Sequence, residues 1–390
     1  MNFDEITDRR GTRTSKWDGM AAFTGVTAPD ALAMWIADMD FAAPDFLQDA
    51  VRGMLETGNY GYFVGMDEMY EAVCWWMRTR HGWDAQPGWI LPTYGLGNGI
   101  AICIQAFSDP GDAVAFFTPV YHEFTSKVRK SGREVRELPL VIRDGVYHMD
   151  FDDYDARMTG SEKVLLLCSP HNPAGRLWTR DELRAVADFC ERHDLVLISD
   201  EIHHDLVNPG QTHIPLPLAA PEAVARTVML TSSSKTFNTA GSRLGCVIIR
   251  DEALRARFAA MYRALDINPN LLGARLTQAA YSPAGAEYVD ALRAYIAENQ
   301  RVFMDGIGAL PGLRVMPMQS TYLAWVDFDG TGMDMAEVLR RAREEARIAP
   351  SVGADFGTGG ESFLRFNLGT QRARVTEAVA RMQAAFSDLQ

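Results

Sequence analysis

From about residue 85 to residue 250 the chain repeats one pattern: a short apolar run, an amphipathic stretch, then another apolar run. Residues 112–117 (DAVAFF), 164–168 (VLLLC), 195–199 (LVLIS), 228–231 and 245–249 are such runs. Apolar runs without polar alternation suit strands buried on both faces, and such strands need helices above and below the sheet. One of the intervening helices is signalled directly. Thr179 opens the tetrad T-R-D-E, a capping box in which the threonine side chain and Glu182 each satisfy a free backbone N–H, and the helix continues through LRAVADFCERH. The expected fold class is therefore α/β, with a mainly parallel sheet covered by helices.

The pattern changes near residue 280. A long helical stretch over 284–309 leads to a break at Pro311-Gly312. Residues 321–328 (TYLAWVDF) alternate as a strand does, 335–346 are helical, 363–368 form a strand and 374–389 a last helix. This reads as a smaller α+β unit. The first 35 residues are polar and irregular, and read as an arm laid over the body. The expected division is 1–50 as the arm and part of the small domain, 51–283 as the large domain, and 284–390 as the C-terminal small domain.

Composition narrows the partners. A chain of 390 residues that is 47% hydrophobic can bury a sizeable core. Its 38 basic and 51 acidic residues leave a net charge of −13, which counts against nucleic acid or an anionic membrane as the main partner. No apolar run approaches the ~20 residues of a membrane helix, and MNFDEITDRRGTRTSKW lacks the apolar stretch of a secretory leader. Cys74, Cys103, Cys168, Cys190 and Cys246 are odd in number and form no CxxC pair, so reduced core residues in a cytoplasmic protein are expected.

In open parallel sheets ligands bind at the carboxyl ends of the strands, so the polar residues that follow each run are the candidates. Thr93 to Gly99 (TYGLGNG) precede an apolar helix, and glycines at a helix N-terminus let backbone N–H groups approach an anion. An ordinary turn at the start of a helix is the alternative. After VLLLC comes Ser169-Pro170-His171-Asn172-Pro173-Ala174-Gly175-Arg176, a tight turn from which Asn172 projects an amide. After LVLIS comes Asp200-Glu201-Ile202-His203-His204-Asp205. Adjacent histidines diverge in an extended chain and no HExxH spacing is present, so no metal is expected. A carboxylate at a strand end instead suits a protonated ring nitrogen. The chain has only five lysines, Lys16, Lys127, Lys130, Lys163 and Lys235. Lys16 lies in the polar arm, Lys127 and Lys130 on a charged helix face, and Lys163 at the opposite end of its strand. Lys235, in Ser232-Ser233-Ser234-Lys235-Thr236, alone sits at the crevice end, among hydroxyls able to bind phosphate. An anion cradle, an aspartate at one strand end and a lysine beyond another together suit pyridoxal phosphate, with the lysine as Schiff-base former.

The motifs HNPAGR, SDEIHHD, SSSKTFNTAGSRLG and FLRFNLGTQR, in this order, make the chain resemble fold-type I pyridoxal-phosphate enzymes of the class I/II aminotransferase superfamily. FDEITDRRGTRTSKWD, MWIADMDFAAPDF and SKTFNTAG resemble the cystathionine β-lyase (MalY/PatB) branch. The resemblance implies that Lys235 carries the cofactor and moves the Cα proton, and that Asp200 keeps the pyridine nitrogen protonated. It implies that Asn172 bonds the ring oxygen, with His203 near it, and that Tyr121 stacks on the ring. The backbone at Gly95 and Leu96, with Ser232, Ser234 and Arg243, would hold the phosphate. Tyr62 (in YGYF) would reach the phosphate of the neighbouring subunit, which implies a homodimer with shared active sites. Arg365 would clamp the substrate α-carboxylate, with Asn172 and the Ala37 backbone beside it.

The implied activity is carbon–sulfur β-elimination from cystathionine or other cysteine S-conjugates, giving a thiol, pyruvate and ammonia. Arg243, eight residues after Lys235, and the AGSRLG stretch are shared with ordinary aminotransferases, so transamination is the alternative. A regulatory, protein-binding role on the same fold is a further one; no helix-turn-helix segment accompanies it in this sequence.

Overall fold

The computed structural model describes residues 1–389. Seven strands build the main sheet: β1 (Ile90–Thr93), β2 (Ala113–Thr118), β3 (Glu134–Pro139), β4 (Glu162–Cys168), β5 (Val196–Asp200), β6 (Thr227–Thr231) and β7 (Gly245–Ile248). Their spatial order is β1-β7-β6-β5-β4-β2-β3, and every pair is parallel except the two that β7 makes. The sheet is mainly parallel and covered by helices, as expected. The apolar runs are buried because successive side chains enter different cores. Val164 and Leu166 join one cluster with Ile100, Phe116 and Ile198, while Leu165 and Leu167 join another with Leu183, Val186 and Leu197. Strand residues wetted on one face would alternate with polar ones; these do not, because neither face is wet.

The two faces are covered by helices Leu96–Phe107 and Arg180–Arg192. The second starts as predicted: Thr179 Oγ1 accepts from the Glu182 N–H at 3.2 Å, and Glu182 Oε2 accepts from the Thr179 N–H at 2.8 Å. The first sits close to the sheet because Gly99 has no side chain. A Cβ there would stand 3.0–3.2 Å from Leu230, Val247 and Thr93, tighter than ordinary contact.

A four-stranded antiparallel sheet (Arg314–Val315, Leu323–Asp327, Phe363–Asn367, Ser351–Val352) forms a second layer in the C-terminal part. It packs with helices Pro283–Gly308 and Arg372–Ala385 through Phe303, Ile307, Val375 and Met382. Predicted ends differ from these by a few residues. The stretch 335–346 is α-helical only to Arg340 and continues as a wider π-type turn to Glu345. Helices Asp45–Thr57 and Asp67–His81 and strands β1 and β3 have no counterpart among the elements expected from sequence.

The arm, expected to be irregular, departs from expectation in its secondary structure and at Lys16. It carries two short helices, Ser15–Asp18 and Met20–Thr24, and Leu32 and Ala33 pair in parallel with Ile348 and Ala349. Lys16, placed by the sequence in a solvated arm, is fully buried, with its Nζ 2.8 Å from Asp40 Oδ2. The aliphatic stem of a lysine fills apolar space readily, and Asp40 supplies the counter-charge that makes burial of the ammonium tolerable.

Candidate active site

The carboxyl ends of the parallel strands open onto a cavity of about 720 Å³. Among its lining residues are Ala37, Gly95, Leu96, Tyr121, Ser234, Lys235, Arg243 and Arg365, drawn from the arm, the large sheet and the small sheet. The anion cradle depends on one glycine. Gly95 takes φ +78°, a left-handed conformation that favours glycine, and so turns the chain from β1 into helix Leu96–Phe107. The first N–H groups of that helix have no partners within it and face the cavity end of the sheet.

Lys235 follows β6. Its Nζ donates to the Ala37 carbonyl at 2.7 Å. Burial, reinforced by the nearby Arg365 charge, lowers its ammonium to about 8, against the opposing pull of Asp38 and Asp200. A lysine so placed spends an appreciable fraction of its time as the neutral, nucleophilic amine at neutral pH.

Asp200 ends β5, close enough for its charge to act on this amine. It is buried, no salt bridge reaches it among the described residues, and the Ile202 N–H donates to its Oδ1 at 3.2 Å. Burial pushes this carboxyl up to about 7, with Glu201 adding to the effect; the Ile202 bond and Lys235 oppose it. His203, one step on, is buried with its Nδ1 unpartnered among the described residues, and burial holds its imidazolium form far out of reach at neutral pH. Its ring stands edge-on to Tyr322 at 6.2 Å.

Arg365 lies on Phe363–Asn367 and is 3% exposed. Nη1 donates to Asn172 Oδ1 at 2.9 Å, and Nη2 to the Trp35 carbonyl at 2.7 Å and to Ser351 Oγ at 3.2 Å. Its Nε has no partner and no carboxylate neutralises it among the described residues. Burial pulls it down to about 10, still well charged at neutral pH. A buried, uncompensated guanidinium is an anion receptor awaiting its ligand. Asn172 is buried in the turn after β4, where its carbonyl receives the Tyr121 N–H at 3.1 Å. Burial raises the Tyr121 phenol to about 12, so its ring offers an uncharged face.

Asn172, Asp200, His203, Ser232 and Tyr62 are not among the residues that line the cavity; the first three are buried next to Arg365 or Lys235. Ser232 accepts from the Ser234 N–H at 3.1 Å and donates to the Leu244 carbonyl at 2.7 Å, so its hydroxyl is already engaged beside Ser234. Tyr62 is not brought to this cavity; its side chain is fully exposed on the segment between helices Asp45–Thr57 and Asp67–His81. Conversely, Trp35, His122, Glu123, Lys127 and Ser351 line the cavity without having been anticipated. Lys127, expected on a charged helix face and found in helix Glu123–Lys130, bonds Glu123 at 2.7 Å and lies against the helix start at Gly97. The i,i+4 spacing of Glu123 and Lys127 just after Tyr121 was the signal available.

Away from the cavity, His81, His204 and Asp205 bring three metal-competent atoms within 4.8 Å of one another. Both Asp205 oxygens are occupied, Oδ1 by Trp76 Nε1 and His81 Nε2 at 2.8 Å each and Oδ2 by Thr236 Oγ1 at 2.9 Å. Asp205 thereby braces Thr236, the neighbour of Lys235, while His204 meets Thr231 Oγ1 through Nε2 at 3.2 Å and keeps a buried Nδ1 without a partner among the described residues.

Comparison with known proteins agrees with this geometry. The profile of the family described as aminotransferase class I and II matches residues 42–382. The chain is 36% identical over 390 residues to cystathionine beta-lyase PatB of Bacillus subtilis (strain 168), with 99% of this chain and 100% of that protein covered. It is 33% identical over 385 residues to protein MalY of Escherichia coli (strain K12), with 97% of each covered. The crystal structure of cystalysin from Treponema denticola, which contains a pyridoxal 5'-phosphate cofactor, superposes with a TM-score of 0.94 at 32% identity, covering 100% of this chain and 99% of that one. A lysine, an aspartate and an arginine gathered at the ends of a parallel sheet, in a chain matched from end to end, have one reading: this protein belongs to the class I and II aminotransferase family.

Proposed function

We propose that the protein is a pyridoxal-phosphate-dependent carbon–sulfur β-lyase acting on cystathionine or other cysteine S-conjugates. The site supports the cofactor part of this reading, because a buried carboxyl without a salt bridge, Asp200, and a buried guanidinium without a carboxylate partner, Arg365, both act on the Lys235 amine; the 36% identity to a cystathionine beta-lyase over 99% of the chain supports elimination. The residues present fit the cofactor. Asp200 lacks the positive partner that a protonated ring nitrogen supplies, and the helix start at Gly95, with Ser234 and exposed Arg243, offers donors for a phosphate. When bound, pyridoxal phosphate supplies an electron sink for negative charge developing at the substrate Cα.

The chain's own residues then divide the work. Arg365, oriented by Asn172, binds the α-carboxylate and fixes which substituent of Cα faces Lys235. Lys235 holds the cofactor, and once free takes the proton from Cα; its lowered pKa leaves it able to act as a base near neutral pH. Asp200 would hold positive charge at the ring nitrogen, and Tyr121, which lines the cavity, would cover the ring and exclude water. The Cβ–S bond breaks with its electron pair leaving on sulfur, and the thiolate takes up a proton. The remaining three-carbon enamine hydrolyses to pyruvate and ammonia. His203 would lie near the ring oxygen with Asn172, the Ala37 backbone would complete the substrate end, and Ser232 would support Ser234 at the phosphate end.

We further infer that the working unit is a cytoplasmic homodimer in which Tyr62 of one protomer reaches the phosphate of the other. Fully exposed Tyr62 and Val64, together with five free, buried cysteines, support this. The pairing of the arm with Ile348–Ala349 supports grouping 1–50 with 284–390 as a small domain over 51–283.

Product analysis with cystathionine, with and without a 2-oxo acid, tests the reaction. Pyruvate, ammonia and homocysteine without any oxo acid are expected. Turnover that requires the oxo acid would overturn elimination in favour of transamination.

A further inference from the structure

The cavity roof is a strap, Trp35 to Asp40, with no helix or strand of its own. A segment of this kind must satisfy its backbone elsewhere, and here each of six successive carbonyls meets a side chain from another element. Trp35 accepts from Arg365, Ile36 from Asn367 at 2.6 Å, and Ala37 from Lys235. Asp38 accepts from Lys16 at 2.9 Å, Met39 from Arg9 at 2.6 Å and Asn238 at 2.8 Å, and Asp40 from Gln371 at 3.1 Å. The strap is thereby sewn to the small sheet, to the lysine segment and to the arm.

The arm also controls the strap's charges. Arg9 grips the Asp38 carboxylate with both terminal nitrogens, at 2.5 and 3.2 Å. Asp40 is held by Lys16 and by Trp17 Nε1, at 2.8 Å each. Asp38 is the residue whose negative charge reaches Lys235 from above. Bidentate pairing spends that charge on Arg9 and fixes the carboxylate's orientation. An unpaired Asp38, beside Asn238 and one residue from the Ala37 carbonyl, would face the amine instead.

We propose that Arg9 is a positioning residue for Lys235: by gripping Asp38 it keeps that carboxylate off the amine and holds the Ala37 carbonyl against it. This rests on Lys235 being the reactive amine, but not on which reaction it serves. The other groups acting on Lys235 are Asp200 from β5, Arg365 from the small sheet and uncharged His203, while Tyr322 adjoins Asp38 and Arg365. None of these changes when Arg9 is replaced, so the effect expected is that of Asp38 alone.

The test follows Lys235 acetylation against pH by peptide mass, in the full-length protein without cofactor, with exposed Lys163 as internal reference. This readout needs no turnover, so a wrong reaction assignment leaves it intact. Arg9→Met is expected to move the Lys235 midpoint upward and slow its labelling about three- to tenfold near pH 8, on the order of what one nearby charge does. Asp38→Asn is expected to move the midpoint downward, and Arg9→Lys, which keeps the positive charge but not the two-point grip, to give a profile between those of wild type and Arg9→Met. A purely structural arm would lower the melting temperature and leave the profile in place; coincident wild-type and Arg9→Met profiles would overturn the proposal. Should Arg9→Met not fold, an unmoved midpoint in Asp38→Asn overturns it equally.

Discussion

Nη1 of Arg365 and Oδ1 of Asn172 lie 2.9 Å apart, a hydrogen bond between the small sheet and the turn that follows β4. One layer thus supplies the charge and the other fixes its direction. The guanidinium reaches no carboxylate among the described residues, and its stacking over the Phe356 ring, 4.8 Å to the centroid, offers only partial compensation for its burial. An anion arriving at this point offsets a desolvation cost already met in folding.

Arg365→Lys should therefore weaken turnover of every cysteine S-conjugate alike, because the α-carboxylate is common to all. A loss of at least about a hundredfold in kcat/KM is expected, the ~3 kcal/mol scale of a buried charged hydrogen-bonded contact. Asn172→Ala should cost less, since it removes orientation and not charge. Kinetics across cystathionine and S-methyl-cysteine check both; a loss confined to one substrate would contradict carboxylate binding.

Asp200 gives a prediction of opposite sign for stability and function. Burial raises its folded pKa from 3.8 to about 7 in the protein without cofactor. A group raised on folding favours the folded state when protonated, so its contribution is full below pH 3.8 and is lost as pH rises through about 7. The loss amounts to at most about 4 kcal/mol, since each tenfold gain in proton affinity on folding is worth ~1.4 kcal/mol. Asp200→Asn, which keeps the shape without the charge, should raise the stability of the cofactor-free protein at pH 8 and leave it nearly unchanged at pH 4. The same variant should lose most of its turnover, because nothing then holds charge at the ring nitrogen. Urea unfolding at the two pH values and steady-state kinetics measure the two halves.

Much of this was legible because strand-end chemistry is local. Asp200 ends the LVLIS run and Lys235 follows the next run, so a parallel sheet brings them together whatever the rest of the chain does. Arg365 came from the resemblance; its meeting with Asn172 spans 193 positions and depends on the packing of two sheets, which no local pattern encodes. Lys16 was misread for the same reason. A lysine in a polar stretch looks solvated until the fold brings Asp40 against it. Helices Asp45–Thr57 and Asp67–His81 do carry apolar stripes at helical spacing, Phe46, Leu47 and Val51 in the first and Met69, Val73, Trp76 and Met77 in the second, so the signal for both was present in the sequence.

The Lys16–Asp40 pair should behave as buried ion pairs do when one member is removed. Lys16 is 0% and Asp40 1% exposed, and Asp40 also meets Arg374 at 3.4 Å. Lys16→Met keeps the stem but leaves the carboxylate short of its nearest cation, at an expected cost of about 3–5 kcal/mol. Arg374 and Trp17 hold the loss toward the lower figure. Lys16→Met combined with Asp40→Leu should recover part of it, since an apolar pair of similar volume needs no desolvation of charge. Urea midpoints of the two single variants and the double one measure the coupling, and additive losses would show that the pair is not the energetic unit.

Tyr62 tests whether one chain completes its own cavity. Its ring stands free in solvent beside exposed Tyr60 and Val64, a cluster of apolar side chains that a single chain leaves uncovered. Patches of this kind mark contact surfaces, and across a two-fold axis one such contact would place Tyr62 at the partner's phosphate end. Tyr62→Ala should weaken cofactor retention, and Lys235→Ala should abolish turnover. Each homodimer is then defective at both of its sites, for different reasons. A mixed dimer is not: one of its sites combines an intact Lys235 with the other chain's intact Tyr62, while the second site lacks both. Complete random exchange of equal amounts makes half the dimers mixed, so about a quarter of all sites should regain wild-type composition. Activity rising toward that fraction as exchange proceeds, followed by native mass spectrometry, is the expected result. Exchange without recovery would mean that Tyr62 serves the site of its own chain, or none.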